Sequence, residues 1–189
     1  MAVPDLARAR EILDAKSLPR GVLLHAEGVS RVAAEAARLV AKAGIPIDVR
    51  LVEIAALLHD IDKLETRDGA GEHGLVGAAE LDRLGYPELA PPVASHPVTC
   101  LLDESRFPRG WPSVLVSIAD RHVAQRFMTI DERLDDQARR YPQYVASLDA
   151  ARRPAHALEA ELAEVTGIAP AELVDRLRFA WDAGATTDR

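Results

Sequence analysis

Apolar residues recur at intervals of three and four along almost the whole chain, whereas runs that alternate apolar and polar residues are nearly absent. The first spacing places apolar side chains on one face of an α-helix, and the second would indicate a half-buried strand. Aromatic residues are only 4% of the chain, so the core must come from Ala, Leu, Val and Ile, which suit packed helices. The sequence therefore predicts an all-α fold, and 189 residues are enough for one core and a single domain.

The pattern divides into separate predicted helices. Gly44 and Pro46 end the first long helix, Asp48 is the predicted cap of the second, and Ser113 is the predicted cap of the fifth. The predicted helices span residues 22–43, 49–64, 75–84, 88–95 and 113–127, followed by outer helices at 130–148, 155–164 and 169–183.

Composition excludes several classes of partner. The net charge of −7 argues against a nucleic acid, because phosphate backbones are held by clustered Lys and Arg. The single cysteine, Cys100, excludes an internal disulfide and a thiolate metal cluster and is expected to be a buried, inert thiol. There is no apolar signal core and no run near the roughly 20 apolar residues of a membrane span, so we expect a cytoplasmic protein without a membrane partner. Nothing in the sequence indicates an oligomeric state.

An ordered series H…HD…H…H…D takes four of the chain's six histidines. Histidine and aspartate are the side chains from which proteins build sites for divalent transition metals. The series therefore predicts a metal site between the core helices. Its members are His25, His59, Asp60, His73, His96 and Asp120.

The adjacent pair His59-Asp60 is the strongest part of this series. It lies in the most apolar predicted helix, where an ionised aspartate costs several kcal/mol unless a cation or a buried partner compensates it. Asp120 is a second acid in a second apolar helix, and one shared divalent ion would explain both. Lys63 has two readings, because it could pair with Asp60 or Asp62 and explain the charge without a metal, or it could hold a phosphate.

The other histidines are weaker signals when taken alone. A lone histidine on an apolar helix face, such as His25, is more often a hydrogen-bonded core residue than a ligand. His73 and His96 lie where loops meet helices, a common place for surface histidines, so their order in the series carries the weight. His122 and His156 fit no position in the series and are expected to be solvated or structural.

Four stretches carry a resemblance to a known family: A-A-L-L-H-D-I-D-K, E-H-G-L-V-G-A-A, the S-H-P turn and S-I-A-D-R. Over about residues 21–141 the chain resembles the HD-domain superfamily of metal-dependent phosphohydrolases. The resemblance implies an HD-type helical bundle, with residues 1–20 as an N-terminal helical segment and 142–189 as a C-terminal helical extension packed on the core. It also implies two metal positions bridged by Asp60. One would be held by His25, His59, Asp60 and Asp120, and the second would be completed by His73 and His96.

Details of the motifs narrow the branch. The lysine after the HD pair, the H-G-x-x-G-A element and the A-D-R element are similar to the symmetrical dinucleoside-tetraphosphate hydrolases. Guanosine-tetraphosphate hydrolases carry H-D-x-x-E-D, and here the stretch reads H-D-I-D-K, which disfavours that activity. The triplet Gly85-Tyr86-Pro87 occurs in cyclic-di-GMP phosphodiesterases, but its usual preceding context is missing. We interpret it as a turn that ends a helix.

The activity that this resemblance implies is hydrolysis of a phosphate ester or anhydride, of a nucleotide or a dinucleoside polyphosphate. One or two ions of Fe, Mn, Zn, Co or Ni would lower the pKa of a bound water to about 7 and polarise the phosphoryl group. Asp62 or Asp120 could accept the proton. Lys63, with Arg121 or Arg126, could hold the remaining oxygens, although the arginines could instead pair with surface acids.

Two other classes of function remain open from the sequence. One is a non-catalytic HD-type module that binds nucleotides or regulates, and the other is a di-iron oxygenase on the same scaffold. A complete set of six ligands argues against the first, because a protein without catalysis has no chemical need to retain all of them. The substrate is not readable, and the residues that line its pocket are expected in the loops at 65–71 and 103–112.

Overall fold

The computed structural model describes residues 3–67, 69 and 71–185, and its regular structure is helical. Within this part of the chain there is no β-strand, only one isolated bridge between Val123 and Phe127. The all-α prediction is confirmed. The helices are α1 (Leu6–Asp14), α2 (Arg20–Lys42), α3 (Val49–Leu58), α4 (Lys63–Thr66), α5 (Leu75–Arg83), α6 (Ala90–Ser95), α7 (Trp111–His122), α8 (Ile130–Arg140), α9 (Val145–Thr166) and α10 (Pro170–Ala185), with 3-10 segments at Pro87–Leu89, Val98–Leu102 and Pro142–Tyr144.

None of the described helices combines the length and the apolar character that a membrane crossing needs.

The long helix α2 lies at the centre of the core. It packs against α3, α7 and α10, and its buried stripe includes Val29, Val32 and Val40. It ends close to the predicted residue, because Gly44 takes a φ of +88° and donates its N–H to the carbonyl of Ala41.

Helix α3 is shorter than the predicted helix over 49–64. It begins as predicted, since the carboxylate of Asp48 accepts a hydrogen bond from the N–H of Leu51 at 3.1 Å. It ends at Leu58, and residues 59–62 form a turn. The His59 ring bonds the carbonyl of Ala56 at 2.7 Å, and so occupies an acceptor that a continuing helix would use. The HD pair therefore lies just beyond a helix end and not within a helix.

Helix α7 also ends before the predicted boundary of 113–127. Ser113, the predicted cap, is a buried residue of the first turn and makes no capping bond. The helix stops at His122, which exchanges two hydrogen bonds of 2.8 Å with Met128, one from the Met128 N–H and one from the His122 ring. Asp120 therefore lies near the C-terminal end of α7 and not in its middle.

The predicted outer helices over 130–148 and 155–164 have different limits in the structure. The first breaks at Pro142, because the residue before a proline disfavours the helical conformation. The second is the much longer α9, which continues through Pro154. Burial of Leu148, Ala151, Ala155 and Leu158 on one stripe stabilises it in spite of the backbone bond that the proline removes.

The packing of α10 on α2 depends on the absence of a side chain at Gly28. A Cβ at this position would lie 2.9 Å from Cγ1 of Val123 and 3.1 Å from Nε1 of Trp181. Val123 is fully buried and β-branched, so it has little freedom to move aside. We expect Gly28→Ala to lower the free energy of unfolding by about 1–3 kcal/mol, measured by urea denaturation.

Gly21→Ala is the matched control in the same helix. Its new Cβ would meet no atom nearer than 3.8 Å, so the variant should be as stable as wild type or more stable by about 0.5–1 kcal/mol. Undiminished stability of Gly28→Ala would contradict the close approach of these helices.

Candidate metal centre

Five separate elements place the six residues of the predicted series around one point. We call these residues the ligand cluster, and all except His73 are buried. They are distributed as His25 on α2, His59 and Asp60 in the turn after α3, His73 before α5, His96 after α6 and Asp120 on α7.

The first group of the cluster consists of His25, His59 and Asp120. Nε2 of His25 lies 3.2 Å from Nε2 of His59 and 3.2 Å from Oδ1 of Asp120. The two rings meet edge to face, with centroids 5.1 Å apart. Nε2 of His59 is also 3.9 Å from Oδ1 of Asp120, so the two ring nitrogens and this oxygen converge.

The second group consists of His73 and His96, whose Nε2 atoms lie 3.1 Å apart. Asp60 stands between the groups and presents one carboxylate oxygen to each. Its Oδ1 is 3.1 Å from Nε2 of His73 and 3.5 Å from Nε2 of His96. Its Oδ2 is 3.8 Å from Nε2 of His25 and 3.6 Å from Nε2 of His59. This placement is compatible with a bridging role for Asp60.

Backbone carbonyls fix the rings of His59 and His96. Nδ1 of His59 lies 2.7 Å from the carbonyl of Ala56, and Nδ1 of His96 lies 2.6 Å from the carbonyl of Val93. Both histidines directly follow the last residue of a helix, where the final carbonyls have no partner within the helix. An Nδ1–H that donates leaves a lone pair on Nε2, which is the form that binds a metal ion.

Asp62 orients His73 from behind. Its Oδ1 is 2.7 Å from Nδ1 of His73, and its Oδ2 accepts the N–H of Gly74 at 2.7 Å and of Gly77 at 2.9 Å. Its side chain is fully buried and does not line the cavity beside the cluster. With three donors on two oxygens, Asp62 is placed to position the His73 loop and cap α5, a role different from the proton acceptor that the sequence suggested.

Arg106 braces the same half of the cluster and was not singled out by the sequence. Its Nη2 donates to the carbonyls of His73 at 3.3 Å and of Ala94 at 3.0 Å, and its Nη1 pairs with Glu72. The guanidinium thus ties the loop before α5 to helix α6. The stretch 103–112 contributes through this contact and not as a pocket wall.

The electrostatics of the cluster favour positive charge at its centre. Burial lowers the pKa of His59 to about 3, so this ring is neutral. Burial also raises the pKa of Asp60, but the charge of Lys63 and hydrogen bonds with His73 and His96 outweigh this effect and hold the pKa well below its usual range. Burial lowers the pKa of His73 as well, yet hydrogen bonds with Asp60 and Asp62 raise it to about 9. His59 and Asp60 are therefore already in the neutral and ionised forms that bind a cation, whereas His73 would release a proton when a metal ion binds.

Two cations already lie beside the buried carboxylates. Nζ of Lys63 is 3.2 Å from Oδ1 of Asp60, and the guanidinium of Arg121 contacts Oδ2 of Asp120. These two cations compensate the charges of Asp60 and Asp120. The burial of the two carboxylates therefore does not by itself require a metal ion, contrary to the expectation from the sequence. Lys63 pairs with Asp60, as one of the two interpretations expects, and its half-exposed side chain lines the cavity, so the phosphate-binding interpretation stays a prediction.

The spacing of the ligand atoms fits a divalent ion. Ligands that bind an ion at about 2.1 Å lie about 3 Å from one another, which is the separation between the paired Nε2 atoms. The ligand atoms of His59, Asp60 and His96 also lie within 4.8 Å of one another, so the two groups are continuous. The donor set of imidazole and carboxylate suits Fe, Mn, Zn, Co or Ni.

The cluster opens into a cavity of about 500 Å³ that Lys63 and Arg121 also line. None of the described residues at 65–71 or 103–112 lines it, so the expected pocket loops are wrong. One wall comes instead from α8, the short segment that follows it and the start of α9, which the sequence assigned to the outside. On α8, the polar residues Arg133, Gln137 and Arg140 are spaced by four and three, and this pattern could have indicated that they share one face. This wall comprises Arg133, Gln137, Arg140, Tyr141, Tyr144, Ser147 and Leu148.

The remaining candidates lie outside the cavity. His122 is buried, with Nε2 2.6 Å from Glu159, and His156 is 3.1 Å from Asp131, so both are placed for structural contacts. Arg126 is exposed and does not line the cavity. Cys100 is buried, and burial raises the pKa of its thiol to about 11, as expected for an inert thiol.

Comparison with known proteins gives one family and one relative. A model described as the HD domain matches residues 22–125. An uncharacterized protein of Methanocaldococcus jannaschii is 42% identical over 67 residues, which is 35% of this chain and 38% of that protein. The chain thus matches well under half of the relative's length. No solved structure matches the chain.

Asp62→Ala tests the positioning role of this carboxylate. The change leaves two buried backbone N–H groups and the His73 ring without their acceptor, so we expect the free energy of unfolding to fall by about 2–4 kcal/mol. We also expect the His73 half of the cluster to lose metal affinity, measured by titration with Mn.

The control is Asp82→Ala, an exposed residue on α5, which should change the free energy of unfolding by about 0.5 kcal/mol at most. If both variants behaved alike in unfolding and metal titration, Asp62 would have no positioning role.

Proposed function

The chain belongs to the HD-domain family, and from this premise we propose that it is a metal-dependent phosphohydrolase that cleaves a phosphate ester or anhydride of a nucleotide. The observation that supports this most is the convergence of four imidazole Nε2 atoms and both oxygens of Asp60 at one wall of a cavity. Members of this superfamily are generally hydrolases.

Two metal positions follow from the two groups of the cluster, with Asp60 shared between them. His25, His59 and Asp120 would hold one ion, and His73 with His96 would complete the other. Bound there, such ions lower the pKa of a water ligand and withdraw charge from the phosphoryl oxygens. The groups that would bind and orient the substrate are side chains of this protein.

Lys63 is placed to hold the phosphate. Its ammonium lies 3.2 Å from Asp60 and 3.5 Å from Nε2 of His73, and the side chain is 47% exposed. It therefore stands at the border between the cluster and the cavity, where a phosphoryl oxygen could exchange with its present contacts. Arg121, which contacts Asp120, also lines this cavity and is a second cation that a phosphorylated ligand would meet there.

Tyr141 and Tyr144 support a nucleotide as the substrate. They line the cavity and are 50% and 54% exposed, so both aromatic side chains are accessible to a ligand there. Bases stack on aromatic rings, and a cavity of about 500 Å³ is within the usual range for sites that take molecules of this size. Together with the resemblance of the motifs, this favours a mononucleotide or a dinucleoside polyphosphate.

Turnover is the first test. Hydrolysis of a panel of mono-, di- and dinucleoside polyphosphates should vanish with a chelator and return with Mn, Fe, Co or Ni, because the described part of the chain shows no activated Ser or Cys as an alternative nucleophile. Asp60→Ala should abolish turnover, and His156→Ala, which lies outside the cluster, should retain it.

Three outcomes separate the classes of function. Full hydrolysis by protein shown to be metal-free by elemental analysis would contradict the proposal. Turnover that requires oxygen and stops under anaerobic conditions would indicate an oxygenase. Nucleotide binding without turnover of any member of the panel would indicate a regulatory module.

Metal stoichiometry tests the assignment of two positions. His96→Ala should lose the ion of the second group and most activity while keeping the first ion, whereas Asp60→Ala should lose most of both. Elemental analysis of the wild type, these variants and His156→Ala gives the counts. If the wild type held a single ion in saturating Mn or Fe and His96→Ala kept full activity, a one-metal site would replace this assignment.

A further inference from the structure

One wall of the cavity carries buried polar atoms without partners. Arg121 is 3% exposed and contacts Asp120 through Nη2, but its Nε and Nη1 have no hydrogen-bond partner among the described residues. Nε of Arg133 and Oε1 of Gln137 are buried and without a partner in the same part of the structure. These three side chains all line the cavity, and the last two lie one turn apart on α8.

Unpartnered atoms of this kind point to a ligand. A buried polar group without a partner is unfavourable, and a guanidinium more so than a neutral group. Burial lowers the pKa of Arg133, although Asp120 opposes this shift. Nε of Arg133 has no hydrogen-bond partner among the described residues, so this edge of the guanidinium is available to a ligand. Two guanidinium groups that face one cavity are suited to an anion with several oxygens, such as a phosphate.

The position of Arg121 and Arg133 relative to the ligand cluster indicates which anion they would bind. Arg121 directly follows Asp120, and Arg133 interacts electrostatically with both Asp120 and Lys63. An anion held by the two arginines would therefore lie next to a phosphoryl group held by the cluster and Lys63. A substrate with one phosphate cannot occupy both places.

We propose that Arg121 and Arg133, with Gln137, bind a second phosphate group of the substrate, so that the site selects phosphoanhydrides over phosphate monoesters. This inference rests on the proposed function, because the ligand cluster defines the place of the first phosphate. The Gln137 amide can turn to offer either its oxygen or its nitrogen, and with a phosphate it would donate.

Binding to the metal-loaded protein tests the proposal without turnover. The probes are AMP and the α,β-methylene analogue of ADP, which carries a second phosphate and resists hydrolysis, and affinity is measured by calorimetry. The wild type should bind the analogue about 10- to 100-fold more tightly than AMP, the range expected for hydrogen bonds to a charged group.

Two variants remove this preference by different means. Arg133→Gln removes the cation, and Gln137→Glu keeps the size of the side chain but adds a repelling carboxylate. In each, the analogue should lose most of its advantage, whereas the affinity for AMP should change less than about threefold. The control is Arg139→Gln, on the same helix with its side chain 69% exposed and outside the cavity wall, which should keep the full preference.

Wild-type protein with equal affinity for the two probes would overturn the proposal. So would variants that weaken AMP and the analogue equally. Gln137→Glu keeps the test decisive if Arg133→Gln does not fold, which urea denaturation would reveal. If the protein prefers the analogue but hydrolyses no nucleotide, the second phosphate site is supported and the proposed hydrolase activity is overturned. If it hydrolyses nucleotides but binds the two probes equally well, the activity is supported and the second phosphate site is overturned.

Discussion

The carbonyl groups at helix ends hold the imidazole rings of the ligand cluster in place. His59 follows α3 and His96 follows α6, and each ring uses a carbonyl of the final turn as the acceptor for Nδ1. A helix that continued would occupy those carbonyls, so the helices must end where the ligands begin. Helix α7 also ends beside the cluster, and the partial negative charge of such ends favours a cation among them.

Asp62 couples this arrangement to the next segment of the chain. Because its carboxylate accepts from Gly74 and Gly77 as well as from His73, the ring can be oriented only if the start of α5 is in place. Side chains at these glycines would be crowded, since a Cβ at Gly74 would lie 3.0 Å from the carbonyl of Val93 and one at Gly77 would lie 3.3 Å from the Asp62 carboxylate. The spacing H-G-x-x-G thus follows from three hydrogen bonds to one buried carboxylate, that of Asp62.

The features that the sequence predicted correctly are those that depend on the spacing of apolar residues and on capping residues next to the helix ends. The all-α fold, the extent of α2 and the cap at Asp48 all follow from neighbours in the chain. It did not predict that α3 stops at Leu58, because that end depends on a side chain bonding the backbone. It also missed the cavity wall on α8, since the charged helix has only Ile130 and Leu134 buried and reads as solvent-facing. Convergence of the six ligands was suggested only by their order and by the family resemblance.

The boundary of the family match runs through the site. Residues 22–125 contain the whole ligand cluster and Lys63, whereas Arg133, Gln137, Tyr141 and Tyr144 lie beyond that boundary. Substitutions in α8 and α9 can therefore reshape the cavity wall without touching any residue of the cluster. The part of the cavity that would contact the bulk of a ligand can thus change in sequence independently of the part that carries the histidines.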